Sequence, residues 1–237
     1  MVNQWILTAL TQCTPPLCTL CDQPRETALP LCPHCQASLQ PVRHACPQCG
    51  NPLPATTPPG LRCGACLDTP PYFDRVIAPF HYQPPLSNLI TAYKFKQRLV
   101  HARLFAALLT TAIRRTHSVL PEIIVPVPLH PTRQRERGYN QALEIARLLG
   151  KQLNIAVDKK CIQRIRATQP QSDLDAHDRS RNVRGAFVLR DALPYQHIAL
   201  VDDVLTTGST VNEIARLIKK NANVKTVEVW CIAHAGG

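Results

Sequence analysis

The sequence predicts an α/β fold: a mostly parallel sheet with helices on both faces, preceded by a small N-terminal module of two zinc ribbons. Three observations carry this. Eight cysteines near the front fall into four C-x-x-C pairs, later residues alternate short β-rich runs with helical stretches, and the composition breaks sharply between the two regions. Of the 237 residues, the first 70 hold nine of the 11 cysteines and more than half of the 22 prolines. They carry only three bases (Arg25, Arg43, Arg62) and three acids (Asp22, Glu26, Asp68), so the whole net charge of +11 lies beyond them. The break divides the chain into 1–70, a double zinc ribbon, and 71–237, the α/β domain.

With 45% hydrophobic and 18% charged residues, a wholly disordered or fibrous chain is excluded. No apolar run approaches the roughly 20 residues of a membrane span. The short run 5–10 has no basic segment before it and no small-residue cleavage site after it. We therefore expect a cytoplasmic protein without membrane insertion.

The front pairs are Cys18/Cys21, Cys32/Cys35, Cys46/Cys49 and Cys63/Cys66. A C-x-x-C turn aims two thiolates at one tetrahedral ion while its amides point back at the sulfurs, so two turns complete a four-sulfur shell and four pairs make two structural zinc sites. Gaps of ten and thirteen residues suit a hairpin each and two successive knuckles, although spacing leaves open an interleaved arrangement of pairs one with three and two with four. A shell filled by four thiolates keeps no open position for water or substrate. Cys13, Cys161 and Cys231 stand outside this scheme and read as ordinary buried thiols.

Beyond the break, residues 76–82 read as a strand, 86–116 as an amphipathic helical span and 122–127 as a strand. A helix follows over 140–153, then strands over 160–165, 187–190 and 197–204, a helix over 210–220 and a last strand over 226–232. A ligand site in such a fold lies at the carboxyl ends of the strands. There the aliphatic run Ile198-Ala199-Leu200-Val201 ends in Asp202 and Asp203 and is followed by Thr206, Thr207, Gly208, Ser209 and Thr210, a hydroxyl-rich turn that opens a helix. Turn amides, hydroxyls and the positive end of the helix dipole suit a phosphate. With two carboxylates one strand-end away, the ligand that fits is a ribose 5-phosphate, whose hydroxyls donate to Asp202 and Asp203.

Over residues 201–210 the sequence resembles the fingerprint of type I phosphoribosyltransferases, which bind phosphoribosyl pyrophosphate (PRPP) with Mg²⁺. Further segments resemble the ComF/GntX family: Val125-Pro126-Val127-Pro128-Leu129-His130-Pro131, Arg137-Gly138-Tyr139-Asn140-Gln141, Asp178-Arg179-Ser180-Arg181-Asn182, Tyr93-Lys94-Phe95-Lys96 and the cysteine-rich front. This resemblance implies a phosphoribosyltransferase-like fold and, in the ComF branch, a part in natural transformation. It also implies a pyrophosphate loop over 128–140 carrying Arg133, Arg135 and Arg137, and a hood over 166–185 carrying Arg179, Arg181 and Asn182. An active enzyme would displace pyrophosphate from the sugar by orienting it and stabilising departing charge; the acceptor is not written in the sequence.

Between residues 90 and 118 six bases occur with no acid, and Tyr93 and Phe95 interleave with Lys94, Lys96 and Arg98. Aromatics that stack on bases beside cations that follow phosphates suit single-stranded DNA. The expected partners are therefore single-stranded DNA, PRPP and a protein of the DNA-uptake machinery.

Overall fold

The computed structural model describes residues 16–95, 99–116, 119–167, 183–221 and 224–236. Cys13, Lys96, Arg98, Arg179, Arg181 and Asn182, singled out from the sequence, lie outside the described residues.

Five short strands form the main sheet: β1 (Arg75–Ile77), β3 (Ile123–Pro126), β4 (Ala156–Val157), β7 (His197–Val201) and β9 (Thr226–Trp230). Every pairing is parallel, in the order β1-β9-β7-β3-β4. Side chains alternate across this sheet with period two. Ile124, Ala199, Val201 and Trp230 enter one core, whereas Val125, Ile198, Leu200 and Val229 enter another. Helices cover both faces, as the aliphatic runs require. The first core takes α3 (Leu86–Phe95), α4 (Val100–Thr116) and α6 (Gln141–Leu153); the second takes α7 (Ser209–Asn221).

Two runs read as single strands are broken in two, and a third ends early. Residues 76–82 divide into β1 and β2 (Phe80–His81), 197–204 into β7 and β8 (Val204–Leu205), and 226–232 stop at Trp230 before β10 (Ala233–His234). The breaks fall at one level, because β2, β10 and β8 form a second small parallel sheet in the same lateral order as β1, β9 and β7. Pro79, with no amide to give a ladder, sits at the first break. At the other two, Asp202 N–H donates to the Trp230 carbonyl at 3.0 Å and Ile232 N–H to the Asp203 carbonyl at 3.1 Å. The acidic pair therefore occupies the bend between two sheets.

Two further expectations need correction. The runs at 160–165 and 187–190 do not join the parallel sheet: β5 (Ile162–Arg164) and β6 (Phe187–Leu189) pair antiparallel as a separate ribbon. Its base docks on α7, where Glu213 accepts from Gly185 N–H at 2.8 Å. The span 86–116 is two helices, with the His101 ring at 3.0 Å from the Leu89 carbonyl tying the start of α4 back onto α3.

The front module carries two short helices, α1 (Pro33–Ala37) and α2 (Gly64–Asp68), each holding the last cysteine of its group. Cys18, Leu31, Cys35 and Leu39 share one core with Tyr93 and Trp230, so the first ribbon packs on the α/β domain. The connecting chain adds hydrogen bonds from Val42 N–H to the Pro79 carbonyl and from His81 N–H to the Gln40 carbonyl, both 2.9 Å. The second ribbon presses Gly50, at φ +73°, against β1, and a Cβ there would lie 2.7 Å from Val76 Cγ1. Left-handed strain and overpacking act together at this position, so Gly50→Ala should cost about 1–3 kcal/mol. Urea denaturation measures the loss; an unchanged midpoint would mean that ribbon and strand are not in this contact.

Candidate functional site

Each front quartet comes together in chain order. The sulfurs of Cys18, Cys21, Cys32 and Cys35 lie within 4.8 Å of one another, as do those of Cys46, Cys49, Cys63 and Cys66. A zinc tetrahedron with Zn–S near 2.3 Å has an edge of about 3.8 Å. The gaps of 3.8 Å between Cys21 and Cys32 and 3.6 Å between Cys49 and Cys63 fit that edge. Amides point at the sulfurs as expected, Cys35 N–H donating to Cys32 Sγ at 3.5 Å and Cys63 N–H to Cys46 Sγ at 3.3 Å. The pairing left open by spacing is therefore sequential, and the ions are structural. Cys161 and Cys231 are buried thiols inside the second core.

A second assembly lies at the carboxyl ends of the parallel strands, around a cavity of about 630 Å³. β7 delivers Asp202 and Asp203 to it, and the entry to α7 delivers Thr206 and Thr210. Thr207, Gly208 and Ser209 make the outer curve of that turn. There the Thr207 and Ser209 hydroxyls bond each other at 2.8 Å, and Gly208 takes the φ of +71° that a residue with a Cβ resists.

The pyrophosphate-loop region contains a helix, α5 (Pro131–Arg137), that apolar periodicity could not reveal because none of its residues is buried. Its other signals were present: Pro131 at the first turn, His130 as N-cap and Gly138 in the left-handed region at the end. Helical spacing puts Arg133 and Arg137, four residues apart, on the cavity wall, whereas Arg135 is exposed and does not line it. Next comes Asn140, the N-cap of α6, which accepts from Leu143 N–H at 3.2 Å and donates to the Val127 carbonyl at 3.0 Å.

The Tyr93-Lys94-Phe95 segment is split three ways. Tyr93 is completely buried, donates to the Gln141 carbonyl at 2.9 Å and packs edge-on against Phe105. Its reading as a base-stacking platform is corrected: helical spacing turned it into the core. Phe95 is 70% exposed at the cavity, with the Arg137 guanidinium 5.4 Å from its ring centre. Lys94 reaches inward and places Nζ 2.9 Å from Asp203 Oδ1. The Tyr139 hydroxyl donates to the Tyr93 carbonyl, which locks this segment to the Arg137–Gln141 stretch.

Arg164, on β5, was not anticipated as a site residue. It is 7% exposed, sits 5.4 Å from the Phe187 ring centre and lines the cavity. Burial first, and Arg133 second, lower its pKa to about 10, against the pull of Asp202. No local pattern distinguishes it, since a lone arginine in a short strand is common. The cavity wall thus carries Lys94, Arg133, Arg137 and Arg164 against Asp202, Asp203 and Glu136, a balance suited to an anionic ligand.

Two outcomes follow from this chemistry. Cys35→Ser should leave one zinc ion per chain instead of two, counted by native mass spectrometry, with loss of folding free energy on the order of 10 kcal/mol in that ribbon. Burial, then the charge of Asp203, raise the Asp202 carboxyl to about 7, against the Asp203 amide and the cations Lys94 and Arg164. That lies above the unfolded value of about 3.9, so the native state keeps a proton that the unfolded chain releases. The resulting stabilisation is present at low pH and is lost as pH rises from about 4 through about 7. Asp202→Asn should therefore gain on the parent between about pH 5 and about pH 8, read from urea midpoints; a pH-independent difference would refute the shift.

Residues 9–67 match the double zinc ribbon domain family. The chain is 43% identical over 180 residues to competence protein F of Haemophilus influenzae, covering 73% of this chain and 78% of that one. It is 42% identical over 180 residues to the DNA utilization protein YhgH of Salmonella typhi, covering 74% and 79% respectively. A more distant relative, competence protein ComFC of Streptococcus pneumoniae, is 23% identical over 155 residues, or 65% of this chain and 66% of that one. With paired cysteine quartets, an acidic strand end and a hydroxyl-rich turn in one chain, and identity above 40% to competence protein F over most of its length, the chain belongs to the ComF/GntX family.

Proposed function

We propose that this chain handles incoming single-stranded DNA in the cytoplasm during natural transformation, and that its cavity is a retained phosphoribosyltransferase pocket that binds PRPP. One observation carries the pocket reading: Asp202, Asp203, Thr206 and Thr210 share a cavity with four cationic side chains at the carboxyl ends of a parallel sheet. The 5-phosphate lies at Thr206 and Thr210, the ribose hydroxyls meet Asp202 and Asp203, and the diphosphate lies towards Arg133, Arg137 and Arg164. Arg133, Arg137 and Arg164 would hold the diphosphate, and Mg²⁺ bound to it would supply further neutralising charge.

The DNA part rests on the names of the relatives, competence protein F and DNA utilization protein YhgH. It is supported by Phe95 at the cavity mouth and by Arg103, Arg114 and Arg115, exposed along α4. Exposed guanidinium groups on one helix follow phosphates, and an exposed ring stacks a base. A component of the DNA-uptake machinery is the partner in this reading. The second reading, an active phosphoribosyltransferase of nucleotide metabolism with accessory ribbons, is favoured by Arg164, a buried cation in the cavity wall that would stabilise the charge of a departing diphosphate.

Labelled single-stranded DNA, titrated at several salt concentrations with and without PRPP and Mg²⁺, tests the proposal. Binding should be micromolar or tighter and weaken steeply with salt. PRPP should bind the parent and fail to bind Asp203→Asn. Absent or salt-insensitive DNA binding overturns DNA handling, and pyrophosphate release with any nucleobase or amine acceptor favours the second reading.

A further inference from the structure

We propose that Lys94 is the resident counter-ion of the acidic pair: it holds the place beside Asp203 that a divalent ion would take, so that a sugar monophosphate binds here without a metal. The second half rests on the reading of the cavity as a sugar-phosphate pocket; the first half does not.

Carboxylates at a strand end beside a phosphate turn invite a divalent cation. Here that demand is met from within. The 2.9 Å pair joins a lysine from α3 to an aspartate that is only 8% exposed. Burial opposes the charge on Lys94, but Asp203 and then Asp202 outweigh it and hold the ammonium above its ordinary pKa. Lys94 is also fixed from both sides. Tyr93 is bonded to Gln141 and Tyr139 on one flank, and Phe95 meets Arg137 on the other. A cation delivered by such an anchored helix end has a high effective concentration at Asp203.

An incoming Mg²⁺ ion must displace this ammonium and shed water that it releases reluctantly, beside a carboxylate with little open surface. An ammonium is in addition a point charge with three donors. Asp203 takes one, and because Lys94 lines the cavity the same charge is within reach of a ligand oxygen. Lys94 therefore makes the pair a receptor for hydroxyls and phosphate, and a divalent ion enters only when a diphosphate carries it.

The test uses the zinc-loaded full chain and has two arms. In the first, Mn²⁺ is titrated and followed by electron paramagnetic resonance. The parent and Lys94→Arg should show no site in the millimolar range. Lys94→Gln should bind at least tenfold more tightly, and Asp203→Asn in that background should abolish the gain. An unchanged far-ultraviolet circular dichroism spectrum and a cooperative urea transition report that the α/β domain of each variant is folded, and two zinc ions per chain report the ribbons. In the second arm, ribose 5-phosphate is titrated by calorimetry in buffer stripped of divalent ions, then with Mg²⁺. The parent should bind equally in both, whereas Lys94→Gln should lose at least tenfold without metal and recover with it. Parent binding of Mn²⁺ as tight as that of Lys94→Gln, or parent binding of ribose 5-phosphate only with Mg²⁺, overturns the proposal. Ribose 5-phosphate that binds in neither buffer, alongside the expected Mn²⁺ result, sinks the sugar-phosphate reading and upholds the counter-ion.

Discussion

Negative charge buried where a sheet bends must be compensated, and the organisation of this protein around its cavity follows from that constraint. β7 cannot run on past Val201, because β1 and β9 also break at that level and the second sheet begins. The residues at the bend are two adjacent acids, one of them nearly inaccessible. An uncompensated carboxylate there would cost several kcal/mol. The compensation arrives from outside the sheet, through Lys94 on α3, with Arg164 from the antiparallel ribbon close enough to act on Asp202.

Seen from the pair outward, three stretches of sequence become parts of one clasp. Tyr93-Lys94-Phe95 supplies the cation, Arg137–Gln141 grips the residues on either side of it, and Asp202-Asp203 receives it. Their side chains have distinct tasks. Tyr93 and Tyr139 orient and bury, Arg137 divides itself between the Phe95 ring and the cavity, and Asn140 starts the helix that carries Gln141. Electrostatics sets the requirement, and packing holds the charged groups at distances where it is met.

The front module solves a different problem with the same economy of contacts. Its proline-rich chain has too few large apolar residues for a core of its own, so thiolate–zinc bonds supply cohesion and the few apolar groups it owns are placed against the larger domain. Leu31 and Leu39 enter the core that also holds Tyr93 and Trp230, while the linker pairs with the chain around Pro79. β2, which receives that linker, pairs with β10, and β10 pairs with β8 directly after the acidic pair. The ribbons thus buttress the small sheet that borders the cavity.

Local chemistry is what the amino-acid sequence by itself determined. C-x-x-C spacing specifies four-sulfur sites because a short turn aims two thiolates at one point, and a continuous aliphatic run ending in acids specifies a buried strand with its charges at the carboxyl end. Both needed only residues near one another in the chain. What tertiary structure alone decided are relations between distant segments: which cysteine pairs share an ion, that Lys94 reaches Asp203, that Arg164 turns into the cavity while Arg135 turns away. It also decided that Tyr93 is core, that residues 160–165 leave the parallel sheet, and that three strands end at one level. A periodic pattern reports which side of an element is apolar, not what stands opposite it. Strand partners and charge partners are chosen by packing the whole chain, where one buried carboxylate constrains the placement of a helix far away in sequence.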